Sequence, residues 1–356
     1  MKMSRISAVL VIVVWLILWE TSTSFVLSHH DLWVVRELTA VTRAVEEPES
    51  KTLLVFGLGN IGLLVAMRAH DEGLFDKVYG TSRTSTSNEN VQGVQTIDYS
   101  DSDCLREILP TCSHVLVTIP PSKSSMPGAC DTVLSNPSLG DFPLPSSSWV
   151  GFVSSSSVYG NHNGHWVHED SAIKCSAGSK GELYFRAENE WREASAVRGW
   201  RLNVFRSAGL YGDNRSIIHT IMQRGFVSSS SGSKDGDFPT SRIHECDVAR
   251  AILSSMLQGT EGDWNLADDF PAPRAEVMAF GASLLAHAGL CPKEAAKDSS
   301  DQKSERFRRR KTDRKRVLNI KMKESLLPDQ VLLYPTYKDG LQSVIDANIL
   351  KWRLVD

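Results

Sequence analysis

Gly57-Leu58-Gly59-Asn60-Ile61-Gly62 follows the apolar run Leu53-Leu54-Val55-Phe56 and leads into Leu63-Leu64-Val65-Ala66-Met67. Strand, glycine turn and helix in that order are the setting in which a GxGxxG match predicts a dinucleotide-binding loop. Each glycine has a mechanical task. Gly57 permits the tight turn, Gly59 lets the backbone approach a pyrophosphate, and Gly62 lets helix and strand pack closely. The helix start at Asn60 and Ile61 offers N–H groups and the positive end of the helix dipole to phosphate. A glycine turn in some other α/β protein is the competing reading, and the flanking pattern favours the nucleotide.

Outward from this loop, strands and helices alternate. Strands are predicted at Leu53–Phe56, Lys77–Thr81, Val94–Asp98, His114–Ile119, Trp149–Ser154 and Arg201–Arg206. Helices are predicted at Ile61–Glu72, Ser102–Leu109 and Gly181–Val197, with a short one around Ala129–Leu134. This alternation implies an α/β protein with a parallel sheet covered on both faces. Phe226 to Thr240, rich in serine and glycine, reads as a mobile loop.

With 356 residues and 41% hydrophobic content, the chain can bury a sizeable core in one large or two smaller domains. A net charge of −3 gives no global case for nucleic-acid binding. The basic run Arg308-Arg309-Arg310-Lys311, with Arg314-Lys315-Arg316, lacks interleaved aromatic residues and reads first as a solvated face. The six cysteines are scattered without a CxxC pair, which argues against structural zinc and a disulfide framework and fits a reducing compartment.

The N-terminus is different. Lys2 and Arg5 precede an apolar run from Ile6 to Trp19, shorter than the ~20 residues of a spanning helix. A basic start, a short apolar core and Ser22-Thr23-Ser24 read as a secretory signal peptide, with an uncleaved membrane anchor as the alternative. Phe25 resembles the cleavage-site phenylalanine of bipartite presequences in algae with complex plastids. The segment to about Glu46, with Arg36, Arg43 and few acids, reads as a transit peptide. Residues 1–50 are therefore expected to be a presequence leading to a plastid, with the secretory pathway as the alternative. No stable membrane domain is expected after its removal.

The cofactor is read after the second strand, where an acidic residue would bind a ribose 2′-OH. This chain has Gly80-Thr81-Ser82-Arg83-Thr84-Ser85, with no acid. Arg83 suits a 2′-phosphate and Ser82 adds a hydroxyl, so NADP is the expected cofactor and NAD the alternative. Asp98, at the end of the third strand, is a candidate acceptor for the adenine amino group; an ordinary turn aspartate is the equal alternative.

Phe152-Val153-Ser154-Ser155-Ser156-Ser157-Val158-Tyr159-Gly160 resembles the SSxxVYG segment of extended short-chain dehydrogenases/reductases, the epimerase/dehydratase group. Phe205–Gly212, Arg242–Ala249 and Trp264–Asp269 resemble later segments of the same group. Pro120-Pro121, Trp149-Val150-Gly151, Lys315-Arg316-Val317-Leu318-Asn319 and Tyr334–Leu341 are similar to the atypical YeeZ-like subgroup. The resemblance spans about residues 52–345. It implies a Rossmann-type doubly wound parallel sheet with a smaller C-terminal substrate domain. Residues 51–200 would form the NAD(P)-binding domain, and residues 201–356 its last strands and the substrate-binding part. A small-molecule substrate would bind between them, and the resemblance permits a homodimer.

Active relatives pair a hydroxyl residue with a Tyr-x-x-x-Lys motif, the lysine lowering the pKa of a phenol that otherwise titrates near 10. Ser155 occupies the hydroxyl position. Where the motif should follow stands Lys180-Gly181-Glu182-Leu183-Tyr184, the two residue types in reversed order. The other register pairs Tyr184 with Glu188, an anion. Lys180 and Tyr184 share a helix face, so Ser155, Lys180 and Tyr184 are the catalytic candidates; an exposed lysine and a packed tyrosine are the equal alternative. Ser156 and Ser157 stand where a 4,6-dehydratase carries an acid and a base, which argues against that reaction.

Tyr159, Arg206 and Arg242 are candidate substrate contacts, the two arginines as a clamp for an anion or, equally, as structural ion pairs. His162, His165 and His168 match no metal-ligand spacing, and no metal is expected. Two functions compete: an NADP-dependent oxidoreductase or epimerase-like enzyme on a small carbonyl or sugar-like substrate, and a catalytically silent NADP(H) sensor or scaffold.

Overall fold

In this computed structural model the described residues are 50–83, 90–122, 130–224, 238–290 and 313–353. Residues 1–49, expected to hold a presequence, together with Thr84, Ser85, Ala129, most of the Phe226–Thr240 stretch and Arg308–Lys311 lie outside them. The chain from Ser50 onward is one compact unit.

The glycine loop leaves a strand, β1 (Thr52–Phe56), that is buried along its whole length. Its side chains sort with period two: Leu54 and Phe56 enter one apolar cluster, Leu53 and Val55 another on the opposite face. A strand buried on both sides reads as a continuous apolar run, as this one does. Helix α1 (Asn60–Asp71) buries Ile61, Val65, Ala66 and Ala69 on one stripe.

The remaining strands of the main sheet are β2 (Lys77–Ser82), β3 (Asn90–Val91), β4 (Val94–Asp98) and β5 (His114–Val117), then β6 (Trp149–Ser155), with β8 (Arg201–Ser207) and β11 (Gly262–Leu266) after it. Their order is β11-β8-β6-β5-β1-β2-β4-β3, and every pair is parallel except β3 with β4. The order reverses between β1 and β5, and the glycine loop lies at the carboxyl end of β1 beside that switch, where doubly wound sheets bind ligands. This is the Rossmann-type α/β fold expected from the sequence.

Helices α2 (Ser102–Ile108) and α3 (Lys180–Arg198) connect strands in the first half of the fold. Leu105 from α2 and Trp191 from α3 enter the cluster of Leu54 and Phe56. On the other face Val65 of α1 shares a cluster with Val248 and Ile252 of a later helix, α5 (Glu245–Gln258). The segment expected as a short helix near Ala129–Leu134 is different in the described part. Residues 132–135 form turns, because the Asp131 carboxylate accepts from the Val133 and Leu134 N–H groups at 2.9 and 2.8 Å.

A third apolar cluster joins Ile218 and Ile221 of α4 (Ile217–Arg224), Val277 and Leu285 of α6 (Arg274–His287), and Leu341 and Val344 of α8 (Tyr337–Arg353). Short parallel pairs complete the structure. β9 (Gly209–Tyr211) pairs with β10 (Arg242–His244), and β7 (Trp166–Val167) with β12 (Arg316–Val317), which precedes α7 (Ile320–Leu326). Among the described residues no helix is long and apolar enough to cross a membrane.

Candidate active site

A cleft of about 570 Å3 opens at the carboxyl end of the sheet. One end is lined by Gly59, Asn60 and Ile61, and its floor by Ser155 and Ser157. Lys180 and Tyr184 line it from α3; Arg215, Glu245 and Lys315 come from the later half of the chain.

The glycine loop is built for close approach. Gly57 has φ +97°, a left-handed conformation, and its N–H donates to Thr81 Oγ1 at 2.9 Å. Thr118 Oγ1 donates to the Gly57 carbonyl at 2.6 Å and locks the turn from β5. A Cβ on Gly62 would run into the Gly57 carbonyl oxygen, so strand and helix touch there. A Cβ on Gly59 would meet nothing within 4 Å, and no side chain caps α1. Open space over Gly59 beside an uncapped helix start fits a dinucleotide pyrophosphate. Gly62→Ala is expected to weaken nucleotide binding about tenfold or more by forcing the loop apart. Fluorescence titration with NADPH checks this, and an unchanged affinity would remove the loop from the site.

Ser82 and Asp98 are register partners at the ends of β2 and β4. Asp98 Oδ1 accepts from the Ser100 hydroxyl at 2.6 Å and its N–H at 2.8 Å, and these bonds hold the carboxyl below its usual range. Arg83 follows Ser82 and is exposed.

Ser155 ends β6 and caps a short 3-10 turn (Ser156–Tyr159), its Oγ accepting from the Ser157 N–H at 3.2 Å. Ser179 caps α3 by accepting from the Glu182 N–H, and Glu182 reaches back to the Gly178 N–H. This box fixes Lys180 as the first helical residue. The ammonium of Lys180 lies 5.2 Å from the centre of the Tyr184 ring. It therefore sits against the ring face. Burial alone pushes the Tyr184 phenol above its usual value. Glu188, the anion of the other register, faces elsewhere.

The three substrate candidates all lie outside the lining of the cleft. Arg206 is 3% exposed and Tyr159 fully buried. Arg206 donates to Glu188 Oε2 at 2.8 Å, pairs with Asp263 at 3.0 Å and donates to Tyr159 Oη at 3.1 Å. Burial opposes its charge, but the hydrogen bonds and charge of Glu188 hold the guanidinium well above its usual pKa. Tyr159 in turn donates to Asn265 Oδ1 at 2.8 Å, and burial pushes it up to about 12. Both are parts of an interior network and do not line the cleft. Arg242 does not line it either; its guanidinium donates to Thr240 O at 2.8 Å and Thr240 Oγ1 at 3.0 Å.

The histidine loop has a structural role. The His162 and Gly164 N–H groups donate to the Arg314 carbonyl, both at 2.9 Å, and the Arg316 N–H donates to the His165 carbonyl at 3.1 Å. Among the described residues no three His, Cys, Asp or Glu side chains are grouped to hold a metal.

Arg215, Glu245 and Lys315 were not selected by sequence reasoning. Arg215 lies four residues after Tyr211, just past the recognised Phe205–Gly212 segment, and Lys315 opens the recognised Lys315–Asn319 segment.

No family model and no curated protein matches the chain. Solved structures do. A functionally unknown conserved protein from Silicibacter pomeroyi is 28% identical with a TM-score of 0.64, covering 83% of this chain and 99% of its own. A putative NAD-dependent epimerase/dehydratase from Methylobacillus flagellatus is 22% identical at a TM-score of 0.58, covering 84% and 98%. The dTDP-glucose 4,6-dehydratase of Bacillus anthracis, solved with NAD, is 16% identical at 0.60, covering 86% and 100%. The chain thus has the fold of the NAD-dependent epimerase/dehydratase structures.

Proposed function

We propose that this protein is an NADP-dependent oxidoreductase of the atypical, YeeZ-like kind, acting on a small carbonyl or sugar-like substrate. The observation that carries this reading is the single cleft that joins the Gly59-Asn60-Ile61 helix start to Ser155, Lys180 and Tyr184. Gly59, Asn60 and Ile61 would hold the pyrophosphate, and Ser82 and Arg83 the adenosine 2′-phosphate. The bound nicotinamide would supply hydride transfer. The Ser155 hydroxyl would hydrogen-bond the substrate oxygen. Tyr184, kept as a phenol by burial, can donate a proton but not take one at neutral pH. Lys180 would be the second proton source. Entry through a plastid presequence fits the free thiols of Cys104, Cys112, Cys130, Cys175 and Cys246.

A second reading, a silent NADP(H) sensor, is favoured by one observation. Lys180 faces the Tyr184 ring and so does not reproduce the lysine–phenol pairing of active relatives.

Stopped-flow absorbance at the nicotinamide band, with a panel of carbonyl compounds and nucleotide sugars, separates the two. Turnover that falls in Lys180→Ala is the expected result. Tight NADPH binding without turnover on any compound would establish the sensor instead. For the cofactor, Arg83→Ala should lower the NADPH-over-NADH affinity ratio about tenfold, the loss of one charge-assisted contact. An unchanged ratio would take Arg83 out of the site.

A further inference from the structure

The cleft has an unbalanced charge. Its lining includes three cations, Lys180, Arg215 and Lys315, against one carboxylate, Glu245. Glu245 is already engaged, with Oε1 accepting from the Asp213 N–H at 2.9 Å.

Lys315 is delivered to the cleft by a rigid attachment. β12 pairs with β7 in register, Arg316 with Trp166 and Val317 with Val167. The Arg316 side chain adds a bond to the Gly164 carbonyl at 2.9 Å, and its guanidinium covers the Trp166 ring at 5.1 Å. Lys315 is thereby held half-buried beside the turn that follows Ser155. Its Nζ donates to the Gly160 carbonyl at 3.3 Å. An ammonium has three N–H donors, so this contact leaves two. No carboxylate of a described residue forms an ion pair with it. Burial lowers its pKa, and the nearby Asp313 charge offsets only part of this.

Arg215, an exposed residue, also lines the cleft, at the end of a tight turn closed by the reciprocal Gly212 and Arg215 backbone bonds of 2.8 and 3.1 Å. Among the described residues its guanidinium has no hydrogen-bond or ion-pair partner. A half-buried ammonium is costly unless paired, and a guanidinium fork matches two oxygens of one anion.

We infer that Lys315 and Arg215 form an anion subsite, and that the substrate carries a carboxylate or phosphate which this pair holds while its reacting carbon faces Ser155. The inference rests on the proposed function for the identity of that carbon, but the anion subsite stands on the charges alone. It is separate from the nucleotide phosphates, which the Gly59 end of the cleft and Arg83 serve.

The test is calorimetric titration of the full chain, saturated with NADP+, with inorganic phosphate and with acetate, at constant ionic strength kept by chloride. Saturation blocks the nucleotide phosphate site. Binding of at least one anion is expected, weakened about tenfold in Lys315→Met and in Arg215→Met and abolished in the double variant, as loss of charge-assisted bonds requires. Lys315→Arg should restore it. The preference between phosphate and acetate names the substrate group. No binding of either anion, or equal binding to wild type and the double variant, would overturn the subsite. If NADP+ itself does not bind, the proposed function fails. The same titrations on the nucleotide-free chain still decide the subsite.

Discussion

Arg206→Met should destabilise the protein by about 3–5 kcal/mol, the cost of stripping one partner from a buried ion pair. The guanidinium sits among four groups from different elements. It bonds Glu188 from α3, Asp263 from β11, Tyr159 from the turn after β6 and the Glu169 carbonyl at 3.0 Å. Glu188 is fully buried. Without Arg206 its carboxylate keeps only the Ser154 hydroxyl at 2.6 Å and the more distant Arg192 at 3.7 Å. Asp263 keeps a close partner, since Arg192 also reaches it at 2.8 Å. The cost therefore centres on Glu188. Replacing both partners, Arg206→Met with Glu188→Leu, should recover at least half of the loss, because no buried charge is then stranded. Urea unfolding of the three variants measures this. A loss below about 1 kcal/mol in the single variant would mean that the network is not a stabilising hub, since exposed pairs already reach that value.

This network also shows where sequence reading stops. The strands β1, β5 and β6 were legible because burial on both faces leaves nearly continuous apolar runs. β11 was not. Gly262-Asp263-Trp264-Asn265-Leu266 carries a half-buried Asp263 and a buried Asn265, each held by a distant partner: Asp263 by Arg192 and Arg206, Asn265 by Tyr159. The same distance hid the role of Arg206. A clamp and a structural ion pair look alike in sequence, and only the packing of α3 against β8 turns Glu188 toward it. The glycine loop is different because its chemistry is local; turn, close contact and helix start occupy six consecutive residues. Lys315 is the opposite case, reaching Gly160 across 155 positions of chain.

Asp268 gives the second large effect, and it is a pH dependence. Asp268 lies just beyond β11 and is 1% exposed; the backbone N–H groups of Phe270 and Arg242 lie near its carboxylate, and neither makes a hydrogen bond of good geometry. Burial pushes its pKa up to about 8, against the opposing charge of Arg242, which directs two of its N–H groups to Thr240. The folded protein thus keeps a proton that the unfolded chain releases near 3.8. The stability this proton provides is fully present below pH 3.8 and is lost as pH rises toward 8. The slope is roughly 1.4 kcal/mol per pH unit. His114 and His244 run the other way. Burial holds both down at about 4, so stability rises with pH until their ordinary 6.5 is passed. Above 6.5 the histidines are silent and Asp268 still titrates. In that window Asp268→Asn should remove about 2 kcal/mol of pH-dependent loss relative to wild type. Equal slopes for the two proteins between pH 6.5 and 8, by urea unfolding, would show that Asp268 is ionised in the fold. The consequence reaches the cleft. Tyr211 lines it and is held above its usual pKa by burial, with the charge of Asp268 as the next cause. A neutral Asp268 removes one of the three carboxylate charges that raise this phenol, leaving those of Asp247 and Asp339 against the Arg242 charge that lowers it.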